Sequence, residues 1–289
     1  MCRLFIDRVN QRLEQLIPDS PRPLYAAARY SLLSPGKRLR PSLVLATAVT
    51  FGADLESALD PACAIEMVHT YSLIHDDLPC MDDDDLRRGK PTLHKVFPEG
   101  IALLAGDYLL TDSFEVLGKA PKLSAEERLR LVQILSRSAG SQGMIGGQAT
   151  DIGSAGTGID EKALLEMHRE KTGALLAASL QFGAVVGRTS EAIYPLLMSL
   201  GYEIGLAFQF LDDLLDAVSS KEALGKNVKR DAALQKPTAV AFYGIEGVEK
   251  KLQTFETSIH QKLLELPAGA PLIADLLWQN LWARKSLAH

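Results

Sequence analysis

Apolar residues recur through most of this chain at the three- and four-residue spacing of a helix, and seldom at the two-residue spacing of a strand. Leu4, Val9, Leu13 and Leu16 with Ile17 form one stripe, closed by Pro18. A second helix is predicted to open at Pro61, in PACAIEMVHTYSLIHDD, and to run into a group of aspartates. IALLAGDYLLTDSFEVLG predicts a third, stopped by Gly118 and Pro121. SAEERLRLVQILSRSAG opens with Ser124 three residues ahead of Glu127, the signature of a capping box. No proline lies between Pro121 and Pro195, or between Pro195 and Pro237, and such Ala- and Leu-rich stretches suit long buried helices. The pattern predicts an all-α chain, with about ten helices in a single domain over residues 1–289. The glycine-rich stretch from Gly140 to Gly158 predicts a helix end followed by a loop. It lacks the Gly-Lys-Ser/Thr of a phosphate loop, so no nucleotide site is read there.

Composition narrows the function classes. A chain of 289 residues, 47% hydrophobic, can bury a sizeable core. The net charge of −5 comes largely from one acidic stretch, and no broad basic surface suggests nucleic acid. Cys2, Cys63 and Cys80 lack metal-site spacing and argue for a reducing compartment. No apolar run is long enough for a membrane span, and the first residues lack a secretory h-region. A soluble, cytoplasmic protein is expected.

The acidic stretch is HDDLPCMDDDDLRRGKP, from His75 to Pro91. A second cluster, FQFLDDLLD, holds Asp212, Asp213 and Asp216. On a helix these three and Gln209 share an arc of about 100°. Gly201 and Gly205 fall on the same side, which predicts a face of very small residues beneath the carboxylates. His69, Ser72 and Asp76 likewise share one face, and Pro79 then predicts a bent end carrying Asp82 to Asp85. Either cluster alone reads as readily as a solvated surface. A calcium loop is a poor fit for the first, which lacks the EF-hand glycine and glutamate spacing. Two clusters on apolar helices are harder to dismiss, because crowded carboxylates cannot all stay ionised without cations. Mg²⁺ would fit, since it shares one or two carboxylates with substrate phosphates. Candidate cations for such an anion follow in short strings: Arg87 and Arg88, Lys226 and Lys236, Lys171 beside Thr172, and Lys37, Arg38 and Arg40.

The ordered strings GKRLRP, HTYSLIHDDLPCMDDDDLRRGKP, GGQATD, EKTGALL, FQFLDDLLD, LGK and KPT resemble the trans-isoprenyl diphosphate synthases. The likeness runs from about Leu33 to Thr238 and is greatest to the short-chain bacterial farnesyl and geranylgeranyl diphosphate synthases. It implies a helical bundle around a deep central cavity, usually homodimeric, with two acidic motifs facing each other and about three Mg²⁺. The implied metal ligands are Asp76, Asp77 and Asp82, and Asp212, Asp213 and Asp216. Arg87, Lys171, Lys226 and Lys236 would grip an allylic diphosphate. Lys37, Arg40, His69 and Arg88 would hold isopentenyl diphosphate. Thr172 and Gln209 would set oxygens near the forming cation, beside the catalytic Lys171. The resemblance also implies that the released diphosphate takes the proton. Two departures stand out. Pro35-Gly36 replaces the frequent Gly-Gly before Lys37, and Asn227 to Arg230 differ from the usual glycine-containing string.

Product length would be set by the cavity floor. Tyr71 lies five residues before Asp76, about 7.5 Å along the helix. In the resembling enzymes an aromatic residue there accompanies a C15 product, so farnesyl diphosphate is expected. Ser72 and the small face at Gly205 would leave room beside it, which keeps geranylgeranyl diphosphate open. A terpene cyclase would need an Asn/Asp–Ser/Thr–Glu motif where this chain has DDLLD. A non-catalytic synthase subunit would have lost one acidic motif, and both are present.

Overall fold

The computed structural model describes residues 1–154, 158–222 and 238–285, with side chains omitted for 219–222. Backbone contacts group the chain into two compact units, Met1–Ile134 with Phe182–Arg188, and Leu135–Gln181 with Thr189–His289. Ten α-helices of ten residues or more occur among the described residues. The only sheet among them is a two-residue hairpin, so the chain is all-α as predicted.

The first unit holds α1 (Cys2–Leu16), α2 (Pro23–Leu32), α3 (Leu39–Thr50), α4 (Leu55–Asp76), the short α5 (Leu93–Val96) and α6 (Glu99–Lys119). α4 is its centre: its side chains are buried almost all round from Ala58 to Ile74, as expected of a helix with other helices on several sides. It packs against α1, α2, α3 and α6. The helix opens at Leu55 and not at Pro61, which lies inside it. A proline signal marks a boundary only where neighbouring packing does not hold the turn together. The α1 stripe also shifts. Phe5, Val9, Leu13 and Ile17 are buried, whereas Leu4 is 49% exposed. The predicted capping box at the start of α7 (Ala125–Ala139) forms reciprocally. The Glu127 amide donates to Ser124 Oγ at 3.2 Å, and the Ser124 amide donates to the Glu127 carboxylate at 2.6 Å.

The second unit holds α8 (Met144–Ser154), α9 (Glu161–His168), a π-helical turn at Arg169–Gly173, α10 (Ala174–Val186, whose end belongs to the first unit), α11 (Tyr194–Glu222) and α12 (Ala239–Leu264). The glycine-rich stretch is therefore mostly helix. Gly147 on α8 explains one glycine: a Cβ there would lie 2.3 Å from the Lys171 backbone nitrogen. Gly205 on α11 meets Gly173 in the same way, its missing Cβ falling 2.4 Å from the Gly173 Cα. Gly201 is similarly pressed onto Ala177. The small face at Gly201 and Gly205 is thus a contact with the segment Gly173–Ala177. Helical spacing reveals a small face but not whether a backbone or empty space lies against it.

Candidate active site

The acidic end of α4 is built by a chain that doubles back on itself. The Asp82 amide donates to the Asp76 carbonyl at 2.9 Å and the Asp83 amide to the Leu78 carbonyl at 3.1 Å. Asp83 takes a left-handed conformation, φ 49°. This is the predicted bend after Pro79. Asp77 is buried beneath it, and Arg87 grips its carboxylate, with Nε at 2.7 and 2.9 Å from the two oxygens. Burial nevertheless raises the Asp77 pKa above the ordinary carboxylate value, with Arg87 pulling the other way. Asp84 lies 3.4 Å from Arg87. Lys95 lies 2.9 Å from Asp85, and His94 lies 3.7 Å from Asp83. The six aspartates thus divide: Asp76, Asp77 and Asp82 stand at the helix end, and Asp83, Asp84 and Asp85 lie beside His94, Arg87 and Lys95.

Leu86–Arg87 and Lys90–Pro91 form the hairpin, paired antiparallel. Arg88 and Gly89 connect them with φ of 54° and 76°, the two positive angles that a type I′ turn requires. The turn sends Arg88 away from Arg87. Arg88 donates to the Pro35 carbonyl at 3.2 Å, and a Cβ on Gly36 would fall 2.4 Å from the same guanidinium nitrogen. Pro35-Gly36 therefore supplies both an acceptor and the space. Arg40 lies close by on α3, with a guanidinium nitrogen 3.4 Å from His69 Nε2 and with Nε buried and unpaired. Burial lowers Arg40 to about 10, opposed by Glu66 and assisted by Arg88. Burial, then Arg40 and Arg88, push His69 well below its ordinary value. This crowding of cations has the character of a place prepared for an anion. Lys37 is exposed.

Arg38, between these residues, has a different role. It is buried, with hydrogen bonds to Asn10 at 2.9 Å, Glu66 at 2.6 Å and the Leu32 carbonyl at 2.7 Å. Tyr71 is buried too, its ring edge-on to His75 and its hydroxyl without a partner. Burial and then the nearby Asp76 raise its pKa to about 12. Ser72 donates to the His69 carbonyl at 2.9 Å, within its own helix.

In the second unit the acidic motif lies on α11. Arg284 donates to Asp212 at 2.8 Å. Asp213 accepts the Ala239 amide at 2.6 Å, capping the start of α12. Asp216 is exposed, whereas Gln209 is half-buried. Lys171 and Thr172 stand in the π-helical turn, and Lys171 donates to Asp151 at 2.6 Å. His168 is buried, has both ring nitrogens unpaired and lies 4.0 Å from Asp213. Burial lowers its pKa to about 4, against the pull of Asp151. Lys226 and Lys236 lie outside the described residues. Sequence reading passed over Asp151, His168 and Gln148, whose buried Oε1 has no partner. The available signal was that all three sit in the strings GGQATD and EMHREKTG.

Among the described residues, no group of three or more His, Cys, Asp or Glu side chains is placed so that it could hold a metal ion. Asp77 pairs with Arg87 and Asp212 with Arg284. Also among the described residues, no helix is long and apolar enough to cross a membrane.

Comparison with known proteins agrees with the resemblance. The chain is 43% identical over 264 residues to the farnesyl diphosphate synthase of Bacillus subtilis, covering 90% of this chain and 88% of that one. It is 41% identical over 273 residues to a chloroplastic geranylgeranyl pyrophosphate synthase of Catharanthus roseus, covering 92% of this chain and 76% of that one. A geranyltransferase from Helicobacter pylori, solved in complex with magnesium and isoprenyl diphosphate, superposes with a TM-score of 0.82 at 36% identity, over 95% of this chain and 93% of that one. The polyprenyl synthetase family model matches residues 21–265, so the chain belongs to the polyprenyl synthetase family.

Proposed function

We propose that this protein is a Mg²⁺-dependent trans-prenyltransferase that joins isopentenyl diphosphate head-to-tail to dimethylallyl and then geranyl diphosphate, releasing farnesyl diphosphate. The observation that carries this reading is the 43% identity to a farnesyl diphosphate synthase over nine-tenths of the chain. The chemistry of the two acidic helix faces supports it.

The donor type fits the metal. The donors are carboxylate oxygens, which suit a hard divalent ion. Buried Asp77 has its pKa raised despite Arg87, so it is a carboxylate whose burial one arginine does not fully offset. Mg²⁺ held by Asp76, Asp77 and Asp82, and by Asp212, Asp213 and Asp216, would neutralise the diphosphate oxygens as charge develops on them.

The chain's own residues account for the other requirements. Lys171 and Arg87 bind the allylic diphosphate and stabilise its charge as the carbon–oxygen bond breaks, the electron pair leaving with the diphosphate. Lys226 and Lys236 belong to the same reading. Arg40, Arg88, Lys37 and neutral His69 hold isopentenyl diphosphate, so that its double bond meets the allylic carbon in a fixed orientation. The new carbon–carbon bond forms there. The proton then lost from the resulting cation goes to the released diphosphate. Thr172 and Gln209 direct oxygens toward the allylic cation. Tyr71 and Ser72 line the place where the growing chain ends, and the protein works as a homodimer.

The test supplies Mg²⁺, isopentenyl diphosphate and dimethylallyl or geranyl diphosphate, then measures product length by chromatography. A C15 product is expected, and Tyr71→Ala should shift it toward C20. Absence of any condensation product would defeat the reading. A C20 product from the unaltered enzyme would favour the geranylgeranyl alternative, which the Catharanthus roseus relative keeps in view.

A further inference from the structure

Asp151 has no part in the reaction as described, yet it is buried on α8 with its carboxylate 2.6 Å from Lys171 Nζ. Gly147 lies four residues earlier on the same helix and presses on the Lys171 backbone, where a Cβ would come within 2.3 Å of its nitrogen. Residues four apart share a helix face. One face of α8 therefore holds Lys171 at both ends, backbone and ammonium. The turn between those ends is π-helical, a form that is rare and often found at functional sites.

We infer that Asp151 is a positioning residue, which fixes the Lys171 ammonium before the allylic diphosphate arrives. A lysine carries a flexible four-carbon stem with substantial rotamer entropy. Ordering that stem only on binding would weaken substrate affinity, and ordering it beforehand removes the cost. An ammonium has three N–H donors. One donated to Asp151 leaves two for phosphate oxygens, so the pair need not separate when substrate binds. This inference rests on the reading that Lys171 contacts the allylic diphosphate.

The experiment compares Asp151→Ala, Asp151→Asn, Lys171→Met and the double variant Asp151→Ala with Lys171→Met. Steady-state KM and kcat are measured separately for geranyl and isopentenyl diphosphate. Calorimetry with inorganic diphosphate and Mg²⁺ reports binding without turnover, and thermal melting checks folding. Asp151→Ala should raise the geranyl diphosphate KM or lower kcat by about ten- to a hundred-fold, as a displaced binding group does. The isopentenyl diphosphate KM should stay unchanged. Asp151→Asn keeps an acceptor in place and should recover much of the loss. In the Lys171→Met background, Asp151→Ala should add nothing further. If Lys171→Met is impaired and Asp151→Ala is not, the inference fails and the reading of Lys171 stands. If Lys171→Met leaves the geranyl diphosphate KM and kcat and the diphosphate affinity unchanged, the reading of Lys171 falls and takes the inference with it. Equal losses from Asp151→Ala with and without Lys171, or an Asn variant as poor as the Ala variant, would also overturn it. Should Asp151→Ala melt below assay temperature, Asp151→Asn decides through its KM values: a rise for isopentenyl diphosphate equal to that for geranyl diphosphate, or no change in either, counts against positioning.

Discussion

Gly205→Ala would add one methyl group where two backbones already touch. Its Cβ would lie 2.4 Å from the Gly173 Cα and 2.7 Å from the Gly173 nitrogen. Neither atom belongs to a side chain that can swing aside. Ordinary contact begins near 3.4 Å, so α11 and the π-helical turn must part by about 1 Å. Overpacking of that kind costs about 1–3 kcal/mol. Alanine recovers about 1 kcal/mol through its better helix propensity. The net loss of stability is therefore at most about 2 kcal/mol, a fall in Tm of a few degrees for a chain of this size. Activity should suffer more. The turn that moves carries Lys171 and Thr172, and a displacement of about 1 Å at a binding group can cost a hundred-fold in rate. Gly118→Ala is the control, since nothing lies within 4 Å of its Cβ position. Thermal melting and kcat/KM for geranyl diphosphate measure both effects. A Gly205→Ala enzyme with kcat/KM near that of the unaltered protein would refute the argument that this contact places the π-helical turn and its proposed binding groups.

Glu66→Ala should destabilise the protein by about 3–5 kcal/mol, because it strands the buried Arg38 charge; urea unfolding measures it, and a loss below about 1 kcal/mol would contradict the assignment of this pair as core. Stability should also rise with pH between about 4 and the ordinary histidine value of 6.5, since the unfolded chain binds a proton there that buried His168 does not. The contribution is on the order of 3 kcal/mol, present in full above 6.5 and lost as pH falls toward 4. His168→Gln should flatten the slope of urea-derived stability against pH in that window, and an unchanged slope would count against a neutral buried imidazole.

Fold class was legible because helical burial writes a period into the sequence. The Ser124–Glu127 box was legible because both partners lie within one turn. The Leu55 start of α4 was not, since Pro61 gives a strong local start signal that packing overrides. Gly205 shows the same limit from the other side. Periodicity placed it on the Asp212 face, but only the fold reveals Gly173 against it. The aspartate motifs stood out through crowded charge, which is a local property. Asp151 and His168 did not, because each is a lone polar residue whose meaning depends on a partner from another turn or helix. The hairpin at Arg88 was missed because RRGK lacks the flanking alternation that ordinarily signals strands.

That hairpin constrains evolution by length as well as by residue type. Arg87 and Arg88 are neighbours in sequence but have different partners, one at Asp77 and the other at the Pro35 carbonyl. Their separation depends on a connector of two residues, both with positive φ. An inserted or deleted residue would rotate the chain through the pleat and exchange the directions of the two side chains. Both arginines would survive in an alignment, yet neither would reach its partner. Gaps should therefore be rarer between Asp85 and Thr92 in related chains than substitutions are.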